Sequence, residues 1–194
     1  MAITGPLTSK AAIFIDKDGT LIDDVPFNVA PEKICLSKHA GTALRLLRQQ
    51  GYALFVVSNQ SGIGLGLFDE SAMRIVREKI DALLHAEDVW LDDFYYCPHW
   101  CDSPIAHYAN ACDCRKPGAG MLTLAATQYG LSLPQSWMVG DILDDVEAGR
   151  RAGCGTVLID NGNETQWRQS HLRRPDLRCT DLLQAAYAIA NQQR

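Results

Sequence analysis

The chain has 194 residues, 47% of them hydrophobic, and a formal net charge of -5 at pH 7. A chain of this length fits one domain and can bury roughly 70% of its unfolded surface without an external crosslink. The acidic balance argues against a surface that coats nucleic acid, and no apolar run approaches the ~20 residues that span a bilayer. The N-terminal segment also lacks the apolar core of a secretion signal. We therefore expect a monomeric cytoplasmic protein with a small-molecule partner and no nucleic-acid or membrane partner.

Short apolar and β-branched runs alternate along the chain with segments of helical spacing. The apolar runs predict strands at 11–15, 53–57, 94–96, 137–139 and 156–159. Helical spacing predicts helices at about 40–50, 70–85, 120–129, 144–152 and 181–191. This alternation is typical of the α/β class, here a Rossmann-like doubly wound parallel sheet with helices on both faces.

The chain contains no repeat or long flexible linker, so a single domain over 1–194 is predicted, with a core at about 11–160. No insertion is long enough for a large helical cap. The segment 23–37 predicts a loop that covers the site, and the glycines at 62–66 predict a flexible turn. The C-terminal segment is 161–194. Within it, residues 166–194 form either a docking surface or a solvated tail, and the scattered arginines Arg168, Arg173, Arg174 and Arg178 favour the tail.

Two aspartates, Asp16 and Asp18, follow the first predicted strand, and Gly19 lets the chain turn immediately after them. In open α/β sheets, chemistry takes place in the crevice beyond the carboxyl ends of the strands. The single intervening residue allows both carboxylates to point to the same side of an extended segment. One carboxylate can then attack a phosphorus atom while the other moves the proton. For this stretch alone, an ordinary polar turn is the alternative.

Three more polar residues follow later apolar runs: Ser58, Lys116 and Asp141. Asn59, Gln60 and Ser61 add amides and hydroxyls beside the first, and Arg115 precedes Lys116. Each residue by itself has an ordinary structural role, either as a hydroxyl that satisfies a loop or as a surface charge. Their order along the chain is what points to a shared site.

In that order and setting, the motifs resemble those of the haloacid dehalogenase (HAD) superfamily of phosphohydrolases. The resemblance implies that Asp16 is the nucleophile, that Asp18 is the general acid and base, and that Ser58 and Lys116 contact the phosphoryl group. It also implies a catalytic Mg²⁺ held by Asp16, Asp141 and the carbonyl of Asp18. Asp145, four residues after Asp141, is a candidate for orienting the waters bound to that ion. For Asp144 and Asp145 the preferred interpretation is that they favour a helix N-terminus.

A second constellation consists of Cys97, His99, Cys112 and Cys114, which enclose the loop 97–114. Three thiolates and one imidazole make a closed tetrahedral set, which predicts a structural Zn²⁺ rather than a disulfide framework. Zinc would order this loop and support Arg115 and Lys116, which follow directly. Cys101 is a rival ligand or a spare thiol. The remaining cysteines are interpreted as small apolar fillers, at positions Cys35, Cys154 and Cys179.

Taken together, the sequences Asp-Lys-Asp-Gly-Thr, Ser-Asn-Gln-Ser-Gly and Cys-Asp-Cys-Arg-Lys-Pro resemble those of the D-glycero-D-manno-heptose-1,7-bisphosphate 7-phosphatases. Histidinol-phosphate phosphatases share nearly the same motifs, but their zinc loop is usually shorter. The resemblance implies a sugar-phosphate substrate bound by Asp24, Phe27, Ser58, Asn59, Gln60, Ser61, Arg115 and Lys116.

The chain departs from the pattern of this family in the loops that face the substrate. Ile142 stands where a lysine is frequent, Ile22 where an asparagine is frequent, and Pro26-Phe27 where a Gly-Tyr pair is frequent. The residues that handle the phosphoryl group are unaltered. The alternative functions are hydrolysis of histidinol phosphate or of another small sugar phosphate, and a catalytically silent binding protein on the same fold.

Overall fold

A sheet of six parallel strands organises residues 10–192, which are the residues described by this computed structural model. The strands are β1 (Ala12–Ile15), β2 (Ala53–Asn59), β3 (Asp93–Cys97), β4 (Trp137–Gly140), β5 (Gly155–Ile159) and β6 (Leu177–Cys179). Their order across the sheet is β3-β2-β1-β4-β5-β6. The central strand β1 is fully buried, as parallel sheets covered on both faces require.

Helices cover both faces of this sheet. They are α1 (Ala40–Gln49), α2 (Ser61–Gly64), α3 (Glu70–His85), α4 (Gly120–Tyr129), α5 (Leu143–Ala152) and α6 (Leu182–Ala190). Ile13 and Ile15 pack in a core with side chains of α1, α3 and α6, while Ala12 and Phe14 face α4 and part of α5. Alternate residues of one strand therefore serve the two cores, as the period of a strand requires. The predicted fold class is confirmed.

The helix ends follow the local sequence signals. Asp69 caps α3 by accepting a hydrogen bond from the backbone N–H of Ser71 at 2.9 Å, as its position before the apolar pattern predicts. Near the C-terminus of the chain, Asp181 caps α6 in the same way by accepting from the backbone N–H of Gln184. Within residues 10–192, no helix is both long and apolar enough to cross a membrane.

Two segments differ from the sequence prediction. The expected flexible turn at 62–66 is wrong in its first half, because α2 forms there and buries Ile63. A side chain at Gly64 would lie 2.8 Å from the carbonyl oxygen of Pro98, so the helix packs tightly against the zinc loop. The expected solvated tail is also wrong: β6 pairs with β5, and Arg173 forms ion pairs with side chains of α5.

Two single residues also correct the prediction. Ile75 belongs to the apolar pattern expected for α3, yet 41% of its surface is exposed, and the buried face runs through Met73, Val76 and Ile80. Cys35 is exposed and is therefore not an apolar filler, whereas Cys154 and Cys179 are buried.

Ile75 and Ile80, both in α3, provide a matched test of which face of the helix packs in the core. We expect Ile80→Ala to lower the free energy of unfolding by about 2–5 kcal/mol, because it removes a fully buried side chain. Ile75→Ala, the same change on the exposed face, should alter it by no more than about 0.5 kcal/mol. Urea unfolding monitored by circular dichroism measures both, and equal losses would contradict the burial described.

Candidate active site and metal centres

The topology of the sheet brings the predicted catalytic residues together at the carboxyl-terminal ends of its strands, which we call the catalytic edge. Strand order reverses at β1, so β1 and β4 lie side by side although many residues separate them in the chain. Asp16 follows β1 and donates its backbone N–H to the carbonyl of Val139 in β4 at 2.9 Å. Asp141 follows β4 directly, so the two aspartates emerge from neighbouring strands into the same crevice.

The Lys116 ammonium lies at the centre of this edge. It is 2% exposed and contacts Asp16 Oδ1 at 2.5 Å, Asp145 Oδ1 at 2.6 Å and the carbonyl oxygen of Val57 at 2.9 Å. Burial lowers the pKa of the ammonium, but the two carboxylates outweigh burial and hold the pKa above its ordinary value. Lys116 is therefore a fixed positive charge inside the site.

Three carboxylates cluster beside the Lys116 ammonium, and two of them, Asp16 and Asp145, contact it. Ligand oxygens of Asp16, Asp141 and Asp145 lie within 4.8 Å of one another, and all three residues are buried. Burial, with a further contribution from Asp16, raises the pKa of Asp141 to about 7. Burial also raises the pKa of Asp145, although Lys116 opposes the rise. The excess of clustered, buried oxygen ligands fits a hard divalent cation such as Mg²⁺.

Asp18 occupies a different environment from Asp16. Its carboxylate accepts hydrogen bonds from the Lys17 ammonium at 2.8 Å and from the Gln60 amide at 3.1 Å. Burial raises the pKa of Asp18, Lys17 lowers it, and the neighbouring Asp16 raises it again, so the net pKa lies above its ordinary value. A carboxyl group with a raised pKa is suited to donate a proton.

The end of β2 supplies hydroxyl and amide groups to the same edge. Ser58 is 1% exposed, and its hydroxyl accepts a hydrogen bond from the Gln60 amide at 2.8 Å. The Asn59 amide bonds the main chain of Lys116 twice: it donates to the carbonyl at 3.0 Å and accepts from the N–H at 2.9 Å. Asn59 therefore fixes the backbone from which the Lys116 side chain extends.

Two connected spaces lie over these groups. A cavity of about 220 Å³ is lined by Asp16, Asp18, Asp24, Ser58, Asn59, Lys116, Asp141, Ile142 and Asn163. A groove of about 170 Å³ adjoins it at Asp18, Asp24 and Asn59, and is otherwise lined by Lys17, Val25, Pro26, Phe27, Asn28, Gln60, Ser61 and Gly62. We call these spaces the catalytic cavity and the side groove. Part of the loop 23–37 thus borders both spaces.

The predicted zinc ligands converge on one point. The Cys97, Cys112 and Cys114 sulfurs and His99 Nδ1 all lie within 4.8 Å of one another, with pair distances of 3.1–3.5 Å among them. Burial raises the pKa of the Cys97 thiol, and its hydrogen bond with Cys114 adds to the rise. Such a set of three sulfurs and one nitrogen fits zinc. Cys101 is exposed and lies outside this set.

Side chains within the zinc loop and directly beside it make contacts that hold the loop in position. The phenol groups of Tyr96 and Tyr108 both donate to the Glu70 carboxylate in α3, each at 2.8 Å. The Arg115 guanidinium lies 4.8 Å from the centre of the Trp100 ring and donates to the His99 carbonyl at 3.3 Å. Arg115 lines neither the catalytic cavity nor the side groove.

Three residues of the site go beyond the sequence prediction. The helix-end role preferred for Asp145 is incomplete: its carboxylate accepts from the Ile142 N–H at 3.2 Å, but it also pairs with Lys116 inside the site. Lys17 is 1% exposed and pairs with Asp18. Asn163 follows β5 and donates to Asp141 at 2.7 Å. Only Asp145, four residues after Asp141 in an acidic cluster, carried a usable sequence signal.

Several known proteins are similar to this chain in sequence and in fold. Residues 113–185 match the family model described as HAD-hydrolase-like. The D-glycero-β-D-manno-heptose-1,7-bisphosphate 7-phosphatase of Salmonella typhi is 41% identical over 155 residues, covering 79% of this chain and 82% of that protein. The enzyme of the same name from Escherichia coli K12 is 39% identical, with coverages of 79% and 81%.

Among solved structures, the chain is similar to D,D-heptose 1,7-bisphosphate phosphatase from B. bronchiseptica complexed with magnesium and phosphate. The TM-score is 0.80 at 29% sequence identity, covering 92% of this chain and 97% of that one. With these identities over most of both chains, the protein belongs to the D-glycero-β-D-manno-heptose-1,7-bisphosphate 7-phosphatase family of HAD-like hydrolases.

Proposed function

We propose that this protein hydrolyses the 7-phosphate of D-glycero-β-D-manno-heptose 1,7-bisphosphate. The observation that carries the proposal is the convergence of Asp16, Asp18, Ser58, Lys116 and Asp141 on one cavity, in a chain about 40% identical to phosphatases named for this substrate. A purely binding protein needs no buried carboxylate pair opposed to a buried lysine, because such a cluster is costly to maintain.

In the first half of the reaction, an Asp16 carboxylate oxygen attacks the phosphorus atom of the substrate. The bond between phosphorus and the sugar oxygen breaks, and Asp18 transfers its proton to the departing oxygen. This step leaves the phosphoryl group bound to Asp16 and the sugar hydroxyl free. Lys116 is held 2.5 Å from Asp16 Oδ1, so its positive charge faces the phosphoryl oxygens throughout.

In the second half, the ionised Asp18 accepts a proton from a water molecule that attacks the phosphorus atom of the aspartyl phosphate. Inorganic phosphate leaves and Asp16 is regenerated. The Ser58 hydroxyl holds the phosphoryl group, while Gln60 links Ser58 to Asp18 and fixes their separation. Because these side chains are buried and hydrogen-bonded to one another, they are already in position for both halves of the reaction.

Asp16, Asp141 and the carbonyl of Asp18 are the groups that would hold Mg²⁺. When bound there, Mg²⁺ supplies charge neutralisation that lets an anionic substrate approach an anionic nucleophile. Asp145 remains paired with Lys116 and preserves the charge of that lysine.

The side groove is the proposed site of the sugar. It opens beside Asp18, the proton donor to the leaving sugar oxygen, so the departing group lies in it. Its lining offers the Asp24 carboxylate, the Gln60 amide and the Ser61 hydroxyl for sugar hydroxyls, and the exposed Phe27 ring for the carbon skeleton. Asn59 lines the groove too, although its amide is engaged by Lys116, and Arg115 would have to leave Trp100 to reach substrate.

Zinc at Cys97, His99, Cys112 and Cys114 has a structural role in this proposal. The last ligand precedes Arg115 and Lys116 directly, and the backbone N–H of Gly120, at the start of α4, donates to the Asp113 carbonyl at 2.7 Å. Zinc would therefore fix the position of the backbone segment that carries Lys116, the catalytic lysine.

The substrate is tested by phosphate release from heptose 1,7-bisphosphate, histidinol phosphate, fructose 1,6-bisphosphate and a 5′-phosphorylated oligonucleotide, with Mg²⁺ and after EDTA. We expect metal-dependent release with the highest kcat/KM for the heptose, and phosphorus NMR should show that the 1-phosphate is retained. Preference for another compound would refute the heptose assignment, and no release from any of them would refute the reaction.

Asp16→Asn should lower kcat by on the order of 10⁴-fold or more, because the amide is not a nucleophile. The shape of the side chain is kept and Lys116 retains Asp145, so the thermal midpoint and zinc content should stay unchanged. Asp88→Asn, the same substitution at an exposed position after α3, is the control and should keep full activity. Turnover by the Asp16 variant near the wild-type rate would overturn the mechanism.

Cys112→Ser should lose bound zinc, lower the thermal midpoint and reduce kcat, since the loop before Lys116 loses its anchor. Cys101→Ser changes an exposed cysteine of the same loop and should retain one zinc per chain. Elemental analysis and differential scanning calorimetry measure both variants. Full zinc content and an unchanged midpoint in Cys112→Ser would contradict the assigned ligand set.

A further inference from the structure

The segment after β5 reaches back across the catalytic edge. Asn161 donates its side-chain amide to the Gly19 carbonyl at 2.8 Å, and Asn163 donates to Asp141 Oδ2 at 2.7 Å. Next in the chain, the Glu164 carboxylate accepts from the backbone N–H of Leu143, the first residue of α5, at 2.7 Å. Three side-chain contacts within four residues thus connect this segment to the loop after β1, to Asp141 and to the start of α5.

Of these contacts, the one made by Asn163 is directed at a candidate metal ligand. Ligand oxygens of Asp141 and Asp16 lie within 4.8 Å of each other, and the Asn163 amide donates to one of the two Asp141 carboxylate oxygens. The same bond occupies one carboxylate oxygen and thereby limits rotation of the group. Asn163 also lines the catalytic cavity next to Asp141.

The space around this contact is closely filled. A side chain at Gly19 would overlap both the Asp141 carboxylate and the Asn163 amide, so the three residues meet without a gap. Gly162 has φ of +96°, a value that glycine adopts without strain, and it turns the chain between the two asparagines. The orientation of Asn163 is therefore set by the backbone on either side.

We propose that Asn163 is a positioning residue that aims Asp141 at the divalent cation of the catalytic cavity. Partners that hydrogen-bond a metal-ligating carboxylate orient it, and their loss typically costs 10–100-fold in metal affinity or activity. This inference rests on the proposed function for the identity of the cavity, but it concerns metal binding rather than the choice of substrate.

The test measures Mn²⁺ affinity directly by electron paramagnetic resonance on the zinc-loaded protein, alongside phosphate release as a function of Mg²⁺. Asn163→Leu keeps a similar volume but removes the donor. We expect its Mn²⁺ dissociation constant and its half-saturating Mg²⁺ concentration to rise about tenfold or more. At saturating Mg²⁺, kcat should stay within about threefold of wild type, since no reacting group is changed.

Asn161→Ala is the matched control, because it removes the contacts of Asn161 with the Gly19 carbonyl and with the Asn163 backbone N–H but keeps the Asn163 side chain that donates to Asp141. Its Mn²⁺ affinity should change by less than about threefold. Equal weakening in both variants would overturn the proposal, since it would show that anchoring of the segment matters and the Asp141 contact does not. Unchanged Mn²⁺ affinity in Asn163→Leu would overturn it as well.

A second variant, Asn163→Ala, keeps the test usable if leucine disturbs folding, as judged by the thermal midpoint. The same affinity loss is expected from it. Because Mn²⁺ binding needs no substrate, a protein inert towards every phosphate ester would refute the proposed function while the Asn163 measurement still decided this inference.

Discussion

The buried ammonium of Lys116 is the interaction on which the catalytic edge depends. It takes one carboxylate from the loop after β1, another from α5 and a carbonyl from β2, so one charge connects three elements. A buried charge is tolerated only while a counter-charge lies beside it, and leaving such a charge uncompensated typically costs about 3–5 kcal/mol. The geometry of the site and the packing of the sheet are therefore not independent of each other.

The zinc loop supports the same lysine from the other side. Cys97 ends β3 and Cys114 lies two residues before Lys116, so a metal ion held by this ligand set would connect the strand to the backbone of the lysine. Asn59 completes the connection with its two hydrogen bonds to the Lys116 main chain. A segment with few apolar side chains of its own thus gains a fixed position next to the reacting groups.

Much of this arrangement could be predicted from sequence because the signals are local. An apolar run that ends in Asp16 and Asp18 specifies both a strand and the residues at its end, and the spacing of Cys97, His99, Cys112 and Cys114 specifies a ligand set. The strand β6 could not be predicted, because its three residues become a strand only through pairing with β5. Asp145 and Asn163 act on groups in other segments, so their roles depend on the tertiary fold.

Residues around the site differ in how much substitution the folded protein can tolerate. Asp16, Ser58, Lys116 and Asp141 are each no more than 7% exposed, whereas 54% of the Phe27 surface is exposed. Substitutions on an exposed rim usually cost little stability, while those in a buried charged cluster cost much. Exposed residues such as Phe27 can therefore be exchanged during evolution at little cost in folding stability, whereas residues of the buried charged cluster cannot.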